Sequence, residues 1–167
     1  MQENKFIERI EKIINSGILS KNLSDIPNNG ATNTMIENEE KLLPRPLSKQ
    51  HKAFLKRWNG ANLDFMRVLG VHPVESEFME ELAKEFLEWK NLFEEMNNKV
   101  IYFANDVSGF MYFELEDGSI IQLDTDGGGM EKVAKDMNDF FLNYLFGERA
   151  NEFMEDWLNE LKKFKIL

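Results

Sequence analysis

The stretch "NDVSGFMYFELEDGSIIQLDTDGGG", Asn105–Gly129, decides the fold. Within it, "FMYFEL" (Phe110–Leu115) and "SIIQLD" (Ser119–Asp124) are rich in aromatic and β-branched residues and read as strands. Glu116-Asp117-Gly118 joins them. Asp-Gly between such runs signals a hairpin, because the turn needs a positive φ that glycine adopts easily. "VIYFA", Val100–Ala104, is a further strand, and the three form an antiparallel meander. Glu114 and Glu116 are expected to face water, away from Phe113 and Leu115. The stretch closes in an acidic glycine loop, Asp124–Gly129, which either holds an ion or merely ends a strand.

Working outward, Phe6, Ile7, Ile10, Ile13 and Ile14 recur at helical spacing and predict a helix over residues 4–16, stopped by Gly17. A polar segment rich in Asn and Ser follows. Thr34 and Glu37 have capping-box spacing for a helix that ends near Pro44. Ser48 caps the next helix, "KQHKAFLKRWN", which turns Phe54, Leu55 and Trp58 inward and exits at Asn59-Gly60. Leu63–Val71 is expected to hold a strand. Phe78, Leu82, Phe86, Trp89 and Phe93 form the apolar stripe of a two-sided helix whose other face is glutamate. After the meander, residues 130–147 return to helical spacing, and a last helix covers roughly 148–164. The order predicts an α+β fold: a small antiparallel sheet and its central hairpin packed against helices. Residues 1–32 supply a first helix and a polar loop, and 33–167 the rest of one structural unit.

Composition narrows the function. The 167 residues carry a net charge of −10, which repels phosphate backbones and argues against direct nucleic-acid binding. There is no cysteine, so disulfides, thiolate metal sites and a cysteine nucleophile are excluded. "MQENKFIERIEKIINS" lacks the apolar block of a secretory signal, and no apolar run approaches a membrane span, so a soluble cytoplasmic protein without membrane contact is expected.

Candidate chemistry is sparse. Asp124-Thr125-Asp126 offers two carboxylates, but a calcium loop would need further ligands where Gly128 and Lys135 stand. The glycines Gly127–Gly129 are followed by Met130-Glu131 rather than the Lys-Ser/Thr of a phosphate loop. His51 and His72 are the only histidines, the first on a lysine-rich helix face and the second in a turn, and both read as surface residues. No Gly-x-Ser-x-Gly elbow is present. Phe110, Tyr112 and Phe113 lack the basic groove of a stacking platform and read as core. The expectation is no catalytic residue, no metal and no cofactor. A metal-dependent hydrolase built on Asp106, Asp124 and Asp126 is the minor enzymatic alternative.

The residues do resemble a known family. "MIENEEKLLPRPLSKQHKAFLKRWNGA" is similar to the entry motif of the SUKH superfamily, the fungal cell-wall-regulator and bacterial immunity-protein group. Leu43-Pro44, Phe54-Leu55 and Trp58-Asn59-Gly60 stand at its characteristic places. "IYFANDVSGFMYFELEDGSIIQLD" resembles its central hairpin and "VAKDMNDFFLNYL" its terminal helix, so that the likeness covers about residues 33–146. The resemblance implies a non-enzymatic α+β domain, often one that binds and neutralises a polymorphic toxin of nuclease or deaminase type. A regulatory or scaffold domain binding a cell-wall or signalling partner is the alternative.

Under that reading the partner is a basic protein. The contact residues expected are Glu77, Glu80, Glu81, Glu85 and Glu88, in the glutamate-rich stretch that also holds Glu75, Glu94 and Glu95, together with Asp106, Asp124 and Asp126. A solvated helix face is the plainer account of such a charge run. A docking surface for a positive cleft is the sharper one.

Overall fold

The computed structural model describes residues 4–76, 79–96 and 99–167, with 93–95 described by their backbone alone. Glu77 and Phe78 therefore lie outside the described residues, as do the side chains of Phe93, Glu94 and Glu95.

The elements run α1 (Lys5–Ser16), β1 (Ser24–Asp25), α2 (Asn33–Glu40), α3 (Lys49–Arg57), β2 (Ala61–Leu63), β3 (Met66–Val68), α4 (Leu82–Glu95), β4 (Ile101–Asp106), β5 (Phe110–Glu114), β6 (Ile120–Asp124) and β7 (Gly129–Ala134). A short α5 (Met137–Asp139) continues as a π-helical segment, Phe140–Leu145, followed by α6 (Ala150–Phe153) and α7 (Trp157–Lys163). The strands form one antiparallel sheet in sequence order, so the fold is α+β with a sheet of seven strands among the described residues.

Several local expectations change. Thr32, not Thr34, caps α2, its hydroxyl accepting from the Met35 amide at 3.2 Å, and α2 ends at Glu40, before Pro44. Leu63–Val71 does hold a strand, β3, and a second one, β2, precedes it, because Asp64 takes φ 75° and reverses the chain into a hairpin. Residues 129–134 pair with β6 instead of starting a helix. They occupy the sheet's edge, where Gly129–Lys132 are exposed and polar alternation is weak, so helical spacing from Val133 onward dominates the sequence. The last helix is broken at Asp156, which takes φ 61°. Ser48 does cap α3, its hydroxyl accepting from the His51 amide at 3.1 Å, and Phe54, Leu55 and Trp58 are buried.

Alternation along β5 divides the sheet's two faces. Tyr112 meets Phe140, at a ring-centroid distance of 5.3 Å, and Glu114 meets His51 of α3, so this face is covered by helices. Phe6 of α1 stacks on Phe141 at 5.5 Å, and Phe54 on the same ring at 5.7 Å. Lys12 of α1 donates to the Ile166 carbonyl at 2.9 Å, joining the first helix to the C-terminal segment. On the other face Tyr102 lies against Phe113 at 5.5 Å, and α4 packs over β4. Each large buried ring contributes roughly 1.5–3 kcal/mol of transfer free energy.

Two carboxylates are buried, one of which, Glu114, was expected in water. Glu114 has 0% exposed surface, and its Oε2 lies 2.9 Å from Nδ1 of His51, also 0% exposed. His51 thus points into the core, opposite the lysines of its own helix. Arg45 places Nη2 3.9 Å from Glu114 Oε1 while donating to the carbonyls of Glu114 and Leu115 at 2.7 and 2.8 Å. Burial pushes the Glu114 carboxyl up. The His51 hydrogen bond and charge, the Ser48 hydroxyl and Arg45 together outweigh this and hold it below its ordinary value. Glu39 of α2, 3% exposed, accepts from the amides of Ala83 at 2.7 Å and His72 at 3.2 Å, satisfying a free N–H at the start of α4 from a different helix.

Replacing His51 with leucine strands a buried carboxylate, and urea unfolding is expected to show a loss of about 3–5 kcal/mol. A loss within experimental error would show that the pair is dispensable. The unfolded chain binds the Glu114 proton more tightly than the folded chain does. Stability from this group is therefore complete above the unfolded value of roughly pH 4.3 and is lost as pH falls through the lower folded value. Urea midpoints between pH 7 and pH 3, taken as round endpoints on that scale, should fall less for Glu114→Gln than for the wild type.

Candidate functional site

In a meander, alternate turns share one end of the sheet. Here the β2–β3, β4–β5 and β6–β7 turns do so, and each is acidic. Asp64 occupies the first, Asp106 opens the second, and Asp124 and Asp126 lie in the third. The turns are bonded side by side: the Val107 amide donates to the Phe65 carbonyl at 3.2 Å, and the Thr125 hydroxyl donates to the Gly109 carbonyl at 2.9 Å.

These aspartates shape their own turns. Asp106 Oδ1 accepts from the amides of Ser108 and Phe110 at 2.9 and 3.2 Å, and its Oδ2 accepts from the Tyr112 hydroxyl at 2.7 Å. Asp124 Oδ1 accepts from the Asp126 amide at 2.9 Å. The glycine loop is therefore a β-hairpin turn, and a Cβ on Gly128 would come within 1.9 Å of an Asp124 carboxylate oxygen. Among the described residues no three of His, Asp and Glu converge as a metal site.

The glutamates form a second group that joins the first. Glu80 pairs with Arg67 of β3 at 2.5 Å and accepts from Asn105 of β4 at 2.8 Å. Asn105 also donates to the Tyr102 hydroxyl at 2.7 Å, and burial, the largest cause, pushes that phenol up. Arg67, Asn105, Asp64 and Asp106 all line one cleft of about 340 Å³, together with Leu23, Phe65, Met66 and Val107. From Glu80 the acidic surface continues to Glu85 and Glu88 of α4. Partial burial raises the Glu85 carboxyl, and the charges of Glu80 and Glu88 add to the rise, against a weaker hydrogen bond from Trp89. Trp89 is 40% exposed, so the expected apolar stripe of α4 is only partly turned inward.

The result is an acidic ledge of two parts, with the cleft between them: Glu80, Glu85 and Glu88 near Trp89 on the α4 side, and Asp64, Asp106, Asp124 and Asp126 in the three turns at the end of the sheet. Asp106, bonded to the Tyr112 hydroxyl, leans toward the helix-covered face. Glu81 stands apart from it, held by His72 at 2.5 Å. Leu23, Asp64, Val107 and the exposure of Trp89 escaped the sequence reading. The one available signal was turn chemistry. "NLDFM" carries an Asp where the chain reverses, and "NDVSG" carries a valine where turns favour polar residues.

The arrangement sets carboxylates in excess beside exposed apolar and aromatic groups, Leu23, Val107 and Trp89. Among the described residues it holds no paired acid and base poised over a shared cavity. The profile of one family, described as SMI1 / KNR4 family (SUKH-1), matches residues 30–143 of the chain. The match takes in the segment from the loop before α2 to the π-helical segment and leaves α1, β1, α6 and α7 outside. No curated individual protein matches the chain.

Glu85 sits among like charges that folding does not require. Glu85→Gln is therefore expected to hold or raise the thermal midpoint, by the equivalent of about 0.2–0.5 kcal/mol. A clear fall in the midpoint would mark Glu85 as structural.

Proposed function

The chain belongs to the SMI1 / KNR4 family (SUKH-1), and from that premise we propose that it is a non-catalytic immunity protein that neutralises a cognate toxin by occlusion. The partner is a basic protein domain of nuclease or deaminase type. Its positive cleft, built for nucleic acid, meets the ledge formed by Glu80, Glu85, Glu88, Asp106, Asp124 and Asp126. The observation that carries this reading is the crowding of like charge at Glu80, Glu85 and Glu88, which adds to the burial-driven rise of the Glu85 carboxyl, beside the exposed Trp89. The net charge of −10 supports it. Long-range attraction of this kind acts mainly on the rate of encounter, while close apolar contacts set the lifetime.

Co-expression with the toxin domain encoded beside this chain is expected to restore growth. With purified proteins, the association rate constant should fall about tenfold or more between about 0.02 and 0.5 M salt, while the dissociation rate changes little. Glu85→Gln with Glu88→Gln should flatten that dependence. A flat salt profile in the wild type removes steering. Absence of both binding and growth rescue removes the immunity reading.

A further inference from the structure

The cleft at the turn end differs from the rest of the ledge because its apolar residues are placed against their own folding interest. Val107 occupies the β4–β5 turn with 75% of its surface exposed, and Leu23, in the turn before β1, is 62% exposed. Turns ordinarily take Gly, Asn, Asp or Ser, which adopt their backbone and face water without loss. The backbone of both residues is held: the Val107 amide by Phe65, and the Leu23 amide by the Ser20 carbonyl at 3.3 Å. Most of each side chain is left open to solvent. Beneath them lie Phe65 and Met66, at 9% and 1% exposure, which give the roughly 340 Å³ cleft an apolar floor.

The rim is charged in one sense. Asp64 Oδ2 accepts from the Ser20 amide at 3.3 Å, and no donor among the described residues meets its other oxygen. Asp106 is fixed by three donors, the amides of Ser108 and Phe110 and the Tyr112 hydroxyl. Arg67, the one cation among the described residues that line the cleft, is paired with Glu80. The rim therefore favours cations beside the apolar floor.

We infer that this cleft is the anchor pocket of the partner interface: it receives one large apolar side chain from a basic loop of the partner protein, whose flanking Lys or Arg residues reach Asp64 and Asp106. The inference rests on the toxin-binding reading above and assigns that contact its centre. Apolar anchors entering a preformed, water-excluded pocket carry a large share of binding energy and act on dissociation. The glutamates of α4 then steer, and the cleft retains.

The probe is the toxin domain encoded beside this chain. The double variant Leu23→Ser, Val107→Ser is expected to keep the wild-type thermal midpoint, since both side chains are exposed, and to raise the dissociation rate at least about tenfold with an unchanged salt dependence of association. A benzophenone side chain introduced at residue 107 should crosslink to the toxin domain, and one at residue 116, on the opposite end of the sheet, should not. An unchanged dissociation rate in the double variant, or crosslinking only from residue 116, overturns the anchor while leaving the toxin reading intact. Failure of the wild-type chain to bind the domain overturns both.

Discussion

A charge buried in the middle of an aromatic core constrains the whole structure. Glu114 lies on β5, the strand from which the rest of the meander extends in both directions, and it has no route to water. A lone carboxylate there is untenable, so α3 must bring His51 to it, and the loop after α2 must bring Arg45. That fixes which face of β5 takes the helices. Because side chains alternate along a strand, it also fixes which face is left for α4. Arg45 reinforces the choice by donating to the Lys99 carbonyl at 2.6 Å, just before β4, as well as to the end of β5. The aromatic contacts of the π-helical segment follow from this placement rather than cause it.

The two faces then serve different ends. The helix-covered side is packed rings around the buried His51–Glu114 pair, and it supplies stability. On the opposite side α4 is tied at its start by Glu39 and at its flank by Glu80 with Arg67 and Asn105, while its middle keeps Glu85 and Glu88 close together. Repulsion within a helix surface detracts from folding. Under the proposed toxin-binding reading, its persistence beside an exposed tryptophan is accounted for by a partner, with stability and binding pulling in opposite directions. The open edge of the sheet is guarded separately: β7 presents Gly129, Glu131 and Lys132 to solvent, which discourages pairing with another strand.

The family match ends at residue 143, yet α1 and the C-terminal segment complete the core. Phe6 stacks on Phe141, Arg9 donates to the Phe146 carbonyl, and Lys12 reaches Ile166. Phe65, under the β2–β3 turn, is packed by Phe153 at 5.7 Å and Trp157 at 5.1 Å. The floor of the turn-end cleft is therefore held partly by residues outside the matched segment. Two chains sharing the family's central sheet can in this way present differently supported clefts.

The α+β class, the central hairpin with its Asp-Gly turn, the capped α3 and the absence of thiol chemistry were all determined by local sequence. Each depends on a period, a turn residue or a composition that neighbours along the chain reveal. The burial of His51 and Glu114, the strand at 129–134, the exposed side of Trp89 and the convergence of Asp64, Asp106, Val107 and Leu23 were decided only by tertiary structure. None of them has a local signature: a histidine between lysines and a glutamate after phenylalanine look solvated until a partner 63 residues away is placed beside them. The acidic residues were legible one by one, but their union into a ledge was not. Proximity between β3, α4 and the even turns is a property of the meander's register, and register is settled by packing across the sheet rather than along the chain.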